Sequence, residues 1–368
     1  MSRYIYERSD WPRFRWDQKA LAMPLAAVRH RQGRLIGRME ALGFSLRKEA
    51  VLETLTLDVL KSSEIEGEIL NPVEVRSSIA RRLGMDVAGL VPADPNVEGV
   101  VEMMLDATQN FEKPLTAERL FDWHSALFPT GRSGLDKIRV GAWRDDSKGP
   151  MQVVSGPIGR ERVHYQAPAA QRIDTEMIAF IDWANQPGDR DPVLRAAIDH
   201  LWFVTTHPFD DGNGRIARAV ADWALAQSEK SAQRFYSMSA QMREERNAYY
   251  DALERAQKGT LDITDWLEWF LGCLDRAFDG TEITFSGVFR KARFWEKHTD
   301  TPLNERQRLI LNKMLEGFEG KLTSTKWAKL AKCSQDTAHR DILDLIHRDI
   351  LIKDSAGGRS TSYSLKEA

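Results

Sequence analysis

The sequence predicts a mainly α-helical protein with one β-hairpin in its central part and a winged helix-turn-helix domain at its C-terminal end. Apolar residues recur at helical spacing in most segments of the chain. Two short β-type runs, 151–155 and 162–167, are separated by the loop sequence GPIGRE, which is a hairpin pattern. Residues 304–368 show three helical patterns followed by a second hairpin pattern, the order of elements in a winged helix.

The composition is that of a globular protein of two or three domains. The chain has 368 residues, of which 42% are hydrophobic and 29% charged, and its formal net charge is −2. Cys273 and Cys333 are too few for a disulfide framework or an unaided zinc site. No run of 18 apolar residues and no secretory leader pattern is present. We therefore expect a cytoplasmic protein without a membrane partner.

Breaks and changes of pattern divide the chain into four parts. Pro92 and Pro95 interrupt any helix at the first boundary, and the character of the sequence changes again at Asn304. The expected parts are an N-terminal part with an arm and helices (1–93), a core (94–280) that contains the candidate site described below, a linker helix (281–303) and the winged helix domain (304–368).

The N-terminal part begins with an aromatic and basic arm, residues 4–17. Pro12 disfavours a helix there, so we expect an extended segment that packs on the body. Helical patterns follow over 18–42 and 47–66.

Acidic residues end the second of these helices. Glu64 and Glu66 lie in its last turn and Glu68 just beyond it, although the partly negative carboxyl end of a helix favours cations. The local sequence does not explain these acids, and solvent exposure is the expectation for Glu64 and Glu68.

Two central helices meet at a short polar loop. Asp191 is a suitable N-cap and Pro192 suits the first helical position. This helix is expected to end near His207, because Pro208 disfavours helical backbone at the residue before it. A second helix is expected to start near Arg215.

The loop between these helices has the composition of an anion site. Gly212 and Gly214 permit backbone conformations in which successive amides face one concavity at a helix N-terminus, where a phosphate binds well. Arg215 and Arg218 are three residues apart and share a face away from the apolar stripe, as in a polyphosphate clamp.

Two further side chains in this segment suit phosphoryl or nucleotidyl chemistry. Asp211 is a hard oxygen ligand of the kind that magnesium uses when it bridges phosphates. His207 titrates near neutrality and can accept a proton from an attacking hydroxyl.

The segment HPFDDGNGRIAR, residues 207–218, resembles the signature of the Fic (filamentation-induced-by-cAMP) family, His-x-Phe-x-Asp/Glu-Gly-Asn-Gly-Arg-x-x-Arg, at every defined position. The resemblance covers a Fic-type helical core over about 94–278, the aromatic arm, and the winged helix that some members carry. Enzymes of this family mostly transfer AMP from ATP to a Ser, Thr or Tyr hydroxyl of a target protein. The resemblance therefore implies a protein adenylyltransferase that uses ATP and Mg²⁺ (or Mn²⁺), with possible self-modification and a possible homodimer.

The resemblance also implies roles for single residues. His207 is the expected general base, Phe209 anchors the loop, and Asp211 binds the metal. The residues expected to hold phosphate oxygens are Gly212, Asn213, Gly214, Arg215 and, at the γ-phosphate, Arg218. Phosphorylating relatives of the Doc type carry Lys at the position of Gly214, which makes kinase-type transfer less expected here. Other relatives transfer UMP or phosphocholine.

The hairpin resembles the family's flap, which aligns an extended target segment by strand addition. Val163, His164 and Tyr165 are expected to face nucleotide and target, and a purely structural hairpin is the alternative. Residues 247–259 resemble the adenine-side segment, in which the nucleotide-binding candidates are Tyr249, Tyr250 and Gln257. Many relatives have Asn at the position of Gln257, and Tyr250 is alternatively a core residue.

The segment SSEIEG resembles the family's inhibitory motif, Ser/Thr-x-x-x-Glu-Gly/Asn. Ser62 and Glu66 are its defined polar positions, and their spacing places them on one helix face. The resemblance implies that Glu66 pairs with Arg218 and so keeps that arginine from the γ-phosphate.

Other functions remain open from the sequence. Some relatives with a regulatory glutamate remove AMP, with the glutamate positioning a water molecule. A DNA-binding regulator is the other alternative, because the third helix of residues 304–368 offers polar side chains to base edges: Gln335, Thr337, His339 and Arg340. On the same helix three acids argue against tight phosphate contact: Asp336, Asp341 and Asp344.

Overall fold

The computed structural model describes residues 3–85, 90–156, 160, 162–186, 188, 190–315, 320–354 and 361–366. Contacts between Cα atoms divide the chain into two compact units, Met1–Glu282 and Ile283–Ala368. The prediction of a mainly α-helical protein is confirmed. The division of the first unit near residue 93 stays a prediction.

The first unit consists of helices with two small hairpins. Its helices are α1 (Gln18–Glu40), α2 (Phe44–Ile65), α3 (Pro72–Arg82), α4 (Pro95–Gln109), α5 (Ala117–Leu127), α6 (Ile173–Asn185), α7 (Pro192–Thr206), α8 (Asn213–Glu229), α9 (Met238–Glu244), α10 (Arg246–Lys258) and α11 (Thr264–Thr284). Its strands are β1 (Arg132–Ser133), β2 (Asp136–Lys137), β3 (Gln152–Ser155) and β4 (Arg162–Gln166). The antiparallel pair β3–β4 is the predicted hairpin, whereas the pair β1–β2 was not among the predicted strands.

Helices α7 and α8 pack extensively against each other and form the centre of this unit. Both are buried around most of their circumference, which is typical of a core helix. Asp191 caps α7 as predicted, since its carboxylate accepts a hydrogen bond of 2.8 Å from the Val193 amide. Helix α8 starts at Asn213, two residues before the predicted position, because Gly212 forms its N-cap at φ 78°.

The end of α2 is a glycine cap. Glu66 is the C-cap residue and Gly67 adopts a left-handed conformation with φ 84°. The Glu68 amide donates to the Ser63 carbonyl at 3.0 Å, and the Gly67 amide donates to the Glu64 carbonyl at 3.1 Å. These two bonds are the Schellman pattern, which fixes the direction in which the chain leaves the helix.

The aromatic arm packs on the body of the unit as predicted, but it is not extended throughout, because Ile5–Glu7 form a short 3₁₀-helix. Tyr4 and Tyr6 are buried and pack with Tyr165 of β4, with ring centroids 5.1 Å and 6.2 Å from that of Tyr165. The backbone of Arg15 pairs with the segment before α11 through bonds to Leu261 and Ile263. The arm thereby supports the hairpin.

The second unit has the order of elements expected for residues 304–368. Its elements are α12 (Ser286–Lys297), α13 (Glu305–Leu315), α14 (Ser324–Leu330), α15 (Gln335–His347), β5 (Leu351–Lys353) and β6 (Tyr363–Leu365), with β5 and β6 antiparallel. A core that includes Ile310, Trp327 and Ile342 joins these helices. The sequence between β5 and β6 that contains the two adjacent glycines lies outside the described residues. No helix in the described ranges is long and apolar enough to cross a membrane.

Candidate active site

The loop between α7 and α8 is held rigidly by its own residues. Phe209 is fully buried and stacks on the His124 ring, with centroids 4.2 Å apart and an interplanar angle of 11°. The Asn213 side chain accepts a bond of 2.9 Å from the Phe209 amide and donates one of 2.8 Å to the Phe209 carbonyl. The Asn213 amide group therefore closes the loop, so a phosphate contact at this residue would have to use its backbone N–H.

His207 has the features of a general base. It is the C-cap of α7 with φ 51°, a left-handed conformation that is uncommon for residues other than glycine. Its Nδ1 lies 3.0 Å from the Val204 carbonyl, so Nδ1 carries the proton and Nε2 is the basic nitrogen. Burial lowers the pKa of His207, the Val204 carbonyl opposes this shift, and the net direction is downward. The neutral form is therefore favoured at neutral pH.

Arg144, which sequence analysis did not single out, supports this histidine from behind. Its side chain is buried, its Nε donates a bond of 2.7 Å to the His207 carbonyl, and its guanidinium also bonds the Pro168 carbonyl. A bond of 2.9 Å from its backbone amide to the Pro208 carbonyl adds a third tie. The arginine thus joins the loop to the segment that follows β4.

His124 was also missed, and it ties the loop to the segment after β2. Its Nδ1 accepts a bond of 3.2 Å from the Gly141 amide, so Nε2 carries the proton and donates at 3.2 Å to the Asp211 carbonyl. Burial lowers the pKa of His124 to about 4, which keeps the ring neutral in this bridging role. No local sequence signal distinguishes it from an ordinary core histidine.

Asp211 is suited to hold a magnesium ion. Its Oδ1 accepts a bond of 2.6 Å from the Gly212 amide, and its Oδ2 accepts one from the Ser133 hydroxyl. Among the residues that the structure describes, no three His, Cys, Asp or Glu side chains converge on a metal position. Mg²⁺ is often held by one or two carboxylates together with substrate phosphates, so a single carboxylate beside an anion site fits this ion.

The N-terminus of α8 is suited to hold phosphate. Gly212 brings no side chain to cap the first amides of the helix, and a Cβ there would lie 2.9 Å from the Phe128 ring. The uncapped amides and the helix dipole together favour an anion. The second glycine, Gly214, lies in the first turn of the helix.

Arg218 is bound to the end of α2 through its Nε and Nη2 atoms, while its Nη1 has no hydrogen-bond partner among the described residues. Its Nε donates to the Ser62 hydroxyl at 2.9 Å, and its Nη2 lies 2.9 Å from both the Ser62 carbonyl and Glu66 Oε1. Burial alone would lower the pKa of Arg218, but the Glu66 carboxylate more than compensates and the net shift is upward. A Cβ at Gly214 would lie 2.1 Å from Glu66 Oε1. The carboxylate can therefore occupy this position only because residue 214 has no side chain.

The neighbouring acids do not lie free in solvent as the sequence suggested. Glu68 Oε2 lies 2.6 Å from Arg215 Nη1. Glu64 pairs with Lys61 at 2.8 Å and with Arg243 at 3.6 Å. Both side chains are partly exposed, but exposure alone does not account for them: each is paired, because the glycine cap turns the chain end toward α8 and because Arg243 of α9 lies beside α2.

Comparison with known proteins agrees with this geometry. Residues 114–225 match the model of the Fic/DOC family, and residues 4–85 match a domain of unknown function (DUF4172). The chain therefore contains a domain that matches the Fic/DOC family.

Three individual relatives are similar to this chain at 32% identity or less over part of their length. The protein adenylyltransferase Fic of Culex quinquefasciatus is 32% identical over 236 residues, which are 63% of this chain and 42% of that protein. A uridine 5′-monophosphate transferase of Xanthomonas campestris pv. campestris (strain 8004) is 32% identical over 120 residues, 30% of this chain and 21% of that protein. The chain spans less than half the length of these curated relatives. A crystal structure of a Fic family protein from Desulfovibrio desulfuricans G20 is similar in fold, with a TM-score of 0.57 and 22% identity over 94% of this chain and 95% of that one.

The predicted flap residues have different surroundings. Val163 and His164 are partly exposed, and His164 lies 2.8 Å from Glu254 of α10 and 2.6 Å from the Ser155 hydroxyl. Tyr165 is only 2% exposed and donates a bond of 2.6 Å to the Thr205 carbonyl at the end of α7. Its side chain therefore has no surface for nucleotide or target, and its part in the site is to anchor the hairpin.

The predicted adenine-side residues also differ from one another. Tyr249 is buried, and its hydroxyl bonds His200 Nε2 at 2.9 Å while the Arg218 charge lies nearby. Tyr250 is 36% exposed and interacts electrostatically with Glu66 and Arg218. Part of its ring is therefore accessible to a ligand. Gln257 is buried, and its side-chain amide donates a hydrogen bond of 3.5 Å to the Val204 carbonyl. The same carbonyl accepts the hydrogen bond from His207 Nδ1.

His200 is a third residue that sequence analysis missed. Its Nδ1 donates to the Ala217 carbonyl at 3.1 Å, and its Nε2 accepts from Tyr249. Burial and the Arg218 charge lower the pKa of His200 to about 3. A neutral ring at this position avoids a second cation beside Arg218.

Proposed function

We propose that this chain is a protein adenylyltransferase, which transfers AMP from ATP to a Ser, Thr or Tyr hydroxyl of a target protein. The observation that carries the proposal is the single loop between α7 and α8, where a neutral histidine, a carboxylate, an uncapped helix N-terminus and two arginines meet. Similarity to proteins named protein adenylyltransferase supports the nucleotide and the acceptor class.

In the proposed reaction His207 Nε2 accepts the proton of the target hydroxyl as that oxygen bonds to the α-phosphorus of ATP. The bond from this phosphorus to the bridging oxygen of pyrophosphate breaks, and pyrophosphate leaves with the electron pair. The Nδ1–H group stays hydrogen-bonded to the Val204 carbonyl throughout. This bond maintains the tautomer in which Nε2 is free to accept a proton. Arg144 holds the backbone of the base in place.

The phosphates are proposed to bind at the start of α8. The backbone amides at its first turn and the Arg215 guanidinium hold phosphate oxygens, and Arg218 holds the γ-phosphate. A magnesium ion on Asp211 would neutralise charge on the α- and β-phosphates. Tyr250, Val163 and His164 offer the partly exposed surface beside this site.

We further propose that the enzyme is inhibited by its own helix α2. Because Glu66 and Ser62 occupy Arg218, this arginine cannot hold a γ-phosphate, and ATP is excluded or bound in an unreactive pose. The close approach of Glu66 to Gly214 supports the proposal, since the carboxylate covers the backbone that would face the phosphates.

Labelling with ATP that carries the radioactive phosphorus at the α-position tests both parts of the proposal. We expect Glu66→Gly to label itself or a target protein more strongly than the wild type, and His207→Ala in the Glu66→Gly background to remove the label. ATP labelled at the γ-position should give no label, because the γ-phosphorus leaves in pyrophosphate. Label from the γ-position, or none from Glu66→Gly, would overturn the adenylyltransferase assignment.

Two variants of this chemistry are outcomes of the same experiment. Similarity to a uridine 5′-monophosphate transferase makes UTP the first alternative donor to compare. Removal of AMP is tested by incubating a modified target with the wild type and with Glu66→Gly, since a reaction that uses Glu66 to position water needs the glutamate.

The second unit supports DNA binding as a second candidate function. Helix α15 exposes Gln335, His339 and Arg340. Asp341, counted against phosphate contact in the sequence, is buried and paired with Arg306 at 2.8 Å, so it does not face a ligand. A gel shift with genomic fragments should weaken steeply as salt rises if phosphates are contacted.

A further inference from the structure

Two acids, and not one, leave the end of α2 toward the arginines of α8. Glu66 Oε1 lies 2.9 Å from Arg218 Nη2, and Glu68 Oε2 lies 2.6 Å from Arg215 Nη1. Each arginine of the proposed phosphate clamp is thus paired with a carboxylate from the same short segment. The inhibitory motif in the sequence accounts for Glu66 but does not include Glu68.

The glycine cap explains how both acids reach the same face of α8. Gly67 lies between them at φ 84°, and the bond from the Glu68 amide to the Ser63 carbonyl fixes the backbone on its far side. With this turn, the side chains of residues 66 and 68 reach Arg218 and Arg215 of α8. The cap therefore couples the two contacts mechanically.

Arg215 is placed so that its pairing matters for ligand binding. Its side chain is only 8% exposed, and its guanidinium lies 5.1 Å from the centre of the Phe128 ring. Its Nε is buried without a hydrogen-bond partner among the described residues. A buried guanidinium interacts strongly with an anion beside it, because the surroundings screen the charge less than water does. In this structure the anion beside Arg215 Nη1 is the Glu68 carboxylate.

We propose that Glu68 is a second inhibitory carboxylate, which occupies Arg215 while Glu66 occupies Arg218. The inference rests on the proposed function, because it assigns both arginines to the phosphates of the nucleotide. Phosphate oxygens must then displace two carboxylates, and removal of Glu66 alone leaves the site half occupied. Because one cap carries both acids, a partner or ligand that unwinds the end of α2 releases both arginines together.

The test measures binding without catalysis, in a His207→Ala background. Isothermal titration is carried out with two probes, Mg²⁺–ATP and inorganic tripolyphosphate, on Glu66→Gln, Glu68→Gln and the double variant. Glutamine keeps the size of the side chain and removes its charge. Glu64→Gln is the matched control, since this acid lies in the same turn but pairs with Lys61 and Arg243.

We expect Glu68→Gln to bind both probes about three- to tenfold more tightly than its parent, and the double variant to exceed Glu66→Gln by a similar factor. Glu64→Gln should bind like the parent. With His207 intact, Glu66→Gly/Glu68→Gln should label itself faster than Glu66→Gly.

The inference fails if Glu68→Gln binds tripolyphosphate like its parent and the double variant binds it like Glu66→Gln. It also fails if Glu64→Gln gives the same gain, because the effect would then reflect net charge alone. Tripolyphosphate separates this failure from that of the proposed function: gains with tripolyphosphate but no binding of ATP and no labelling would support the paired lock and overturn the adenylyltransferase assignment.

Discussion

The Nε atom of Arg218 donates a hydrogen bond of 2.9 Å to the hydroxyl of Ser62, which is completely buried one helical turn before Glu66. The proposed lock on Arg218 therefore has a neutral component beside the ion pair, and the two can be separated by substitution. Ser63, the next residue, offers a matched control, since it is equally buried but its hydroxyl has no partner in the described part of the chain.

Ser62→Ala should weaken the lock without removing it. The variant leaves Arg218 Nε unpaired in a buried position, which costs about 1–3 kcal/mol of unfolding free energy. We expect labelling from ATP to rise by a smaller factor than in Glu66→Gly, together with a lower melting temperature. Ser63→Ala should leave labelling and melting temperature nearly unchanged. Equal labelling by Ser62→Ala and wild type would show that the hydroxyl does not contribute to inhibition.

The pH dependence of the reaction should reflect the lowered pKa of His207. Burial lowers this pKa, and the Glu66 carboxylate is one of the groups that raise it, so Glu66→Gly lowers it further. The base form is then present above the lowered pKa, and activity is lost only as pH falls through it. We expect the initial labelling rate of Glu66→Gly to stay near its maximum down to pH values below about 6.5, the ordinary histidine value. Half-maximal activity above that pH, with ATP binding unchanged, would contradict this expectation.

Asp199 in α7 should make the protein less stable as pH rises. It is fully buried, its Oδ1 accepts a bond of 3.0 Å from the Trp183 indole, and burial raises its pKa to about 7. Because the folded state holds this proton more tightly than the unfolded chain, unfolding free energy falls between about pH 4 and pH 7 and stays low above. Asp199→Asn should remove this penalty of a few kcal/mol at pH 8. The difference between variant and wild type in urea unfolding should grow from pH 5 to pH 8, and a constant difference would contradict the assignment.

Gly99 in α4 should be intolerant of any side chain. A Cβ there would lie 1.7 Å from the carbonyl oxygen of Ala126 in α5, a contact that only separation of the two helices can relieve. We expect Gly99→Ala to cost about 2–4 kcal/mol of unfolding free energy. In Gly37→Ala of α1 the new Cβ has nothing within 4 Å, so the substitution should stabilise by about 0.5–1 kcal/mol. Thermal unfolding of both variants tests the prediction, and a neutral Gly99→Ala would show that α4 and α5 can separate easily.

Local signals determined the two central helices and the residue types of the site. Asp191, Pro192 and Pro208 bound α7 through capping and steric effects that act within a few residues. The loop sequence likewise indicated an anion site, because glycine conformation and helix dipoles are local properties. The one shift, the start of α8 at Asn213, comes from the left-handed Gly212, whose conformation the sequence permits but does not require.

Tertiary structure alone decided which distant groups support the site and where Glu68 and Tyr165 lie. The tie of Arg144 to the His207 carbonyl and the bridge of His124 to Asp211 join residues that are distant in sequence. The sequence placed Tyr165 against the nucleotide, but packing of the arm buries it. Helical periodicity shows which face of a helix is apolar and buried. It carries no information on which distant polar groups contact one another in the folded chain.

The acids at the end of α2 show the same division most clearly. The sequence shows acids at a helix end that disfavours negative charge, and the pairing of Glu66 with Arg218 was expected from the resemblance to the family's inhibitory motif. Which cation meets which acid depended on the turn at Gly67 and on the packing of α2 against α8, and these gave Arg218 to Glu66 and Arg215 to Glu68. A charge pattern within one helix shows only that its acids are unfavourably placed. Which cation pairs with which acid depends on how two helices pack against each other.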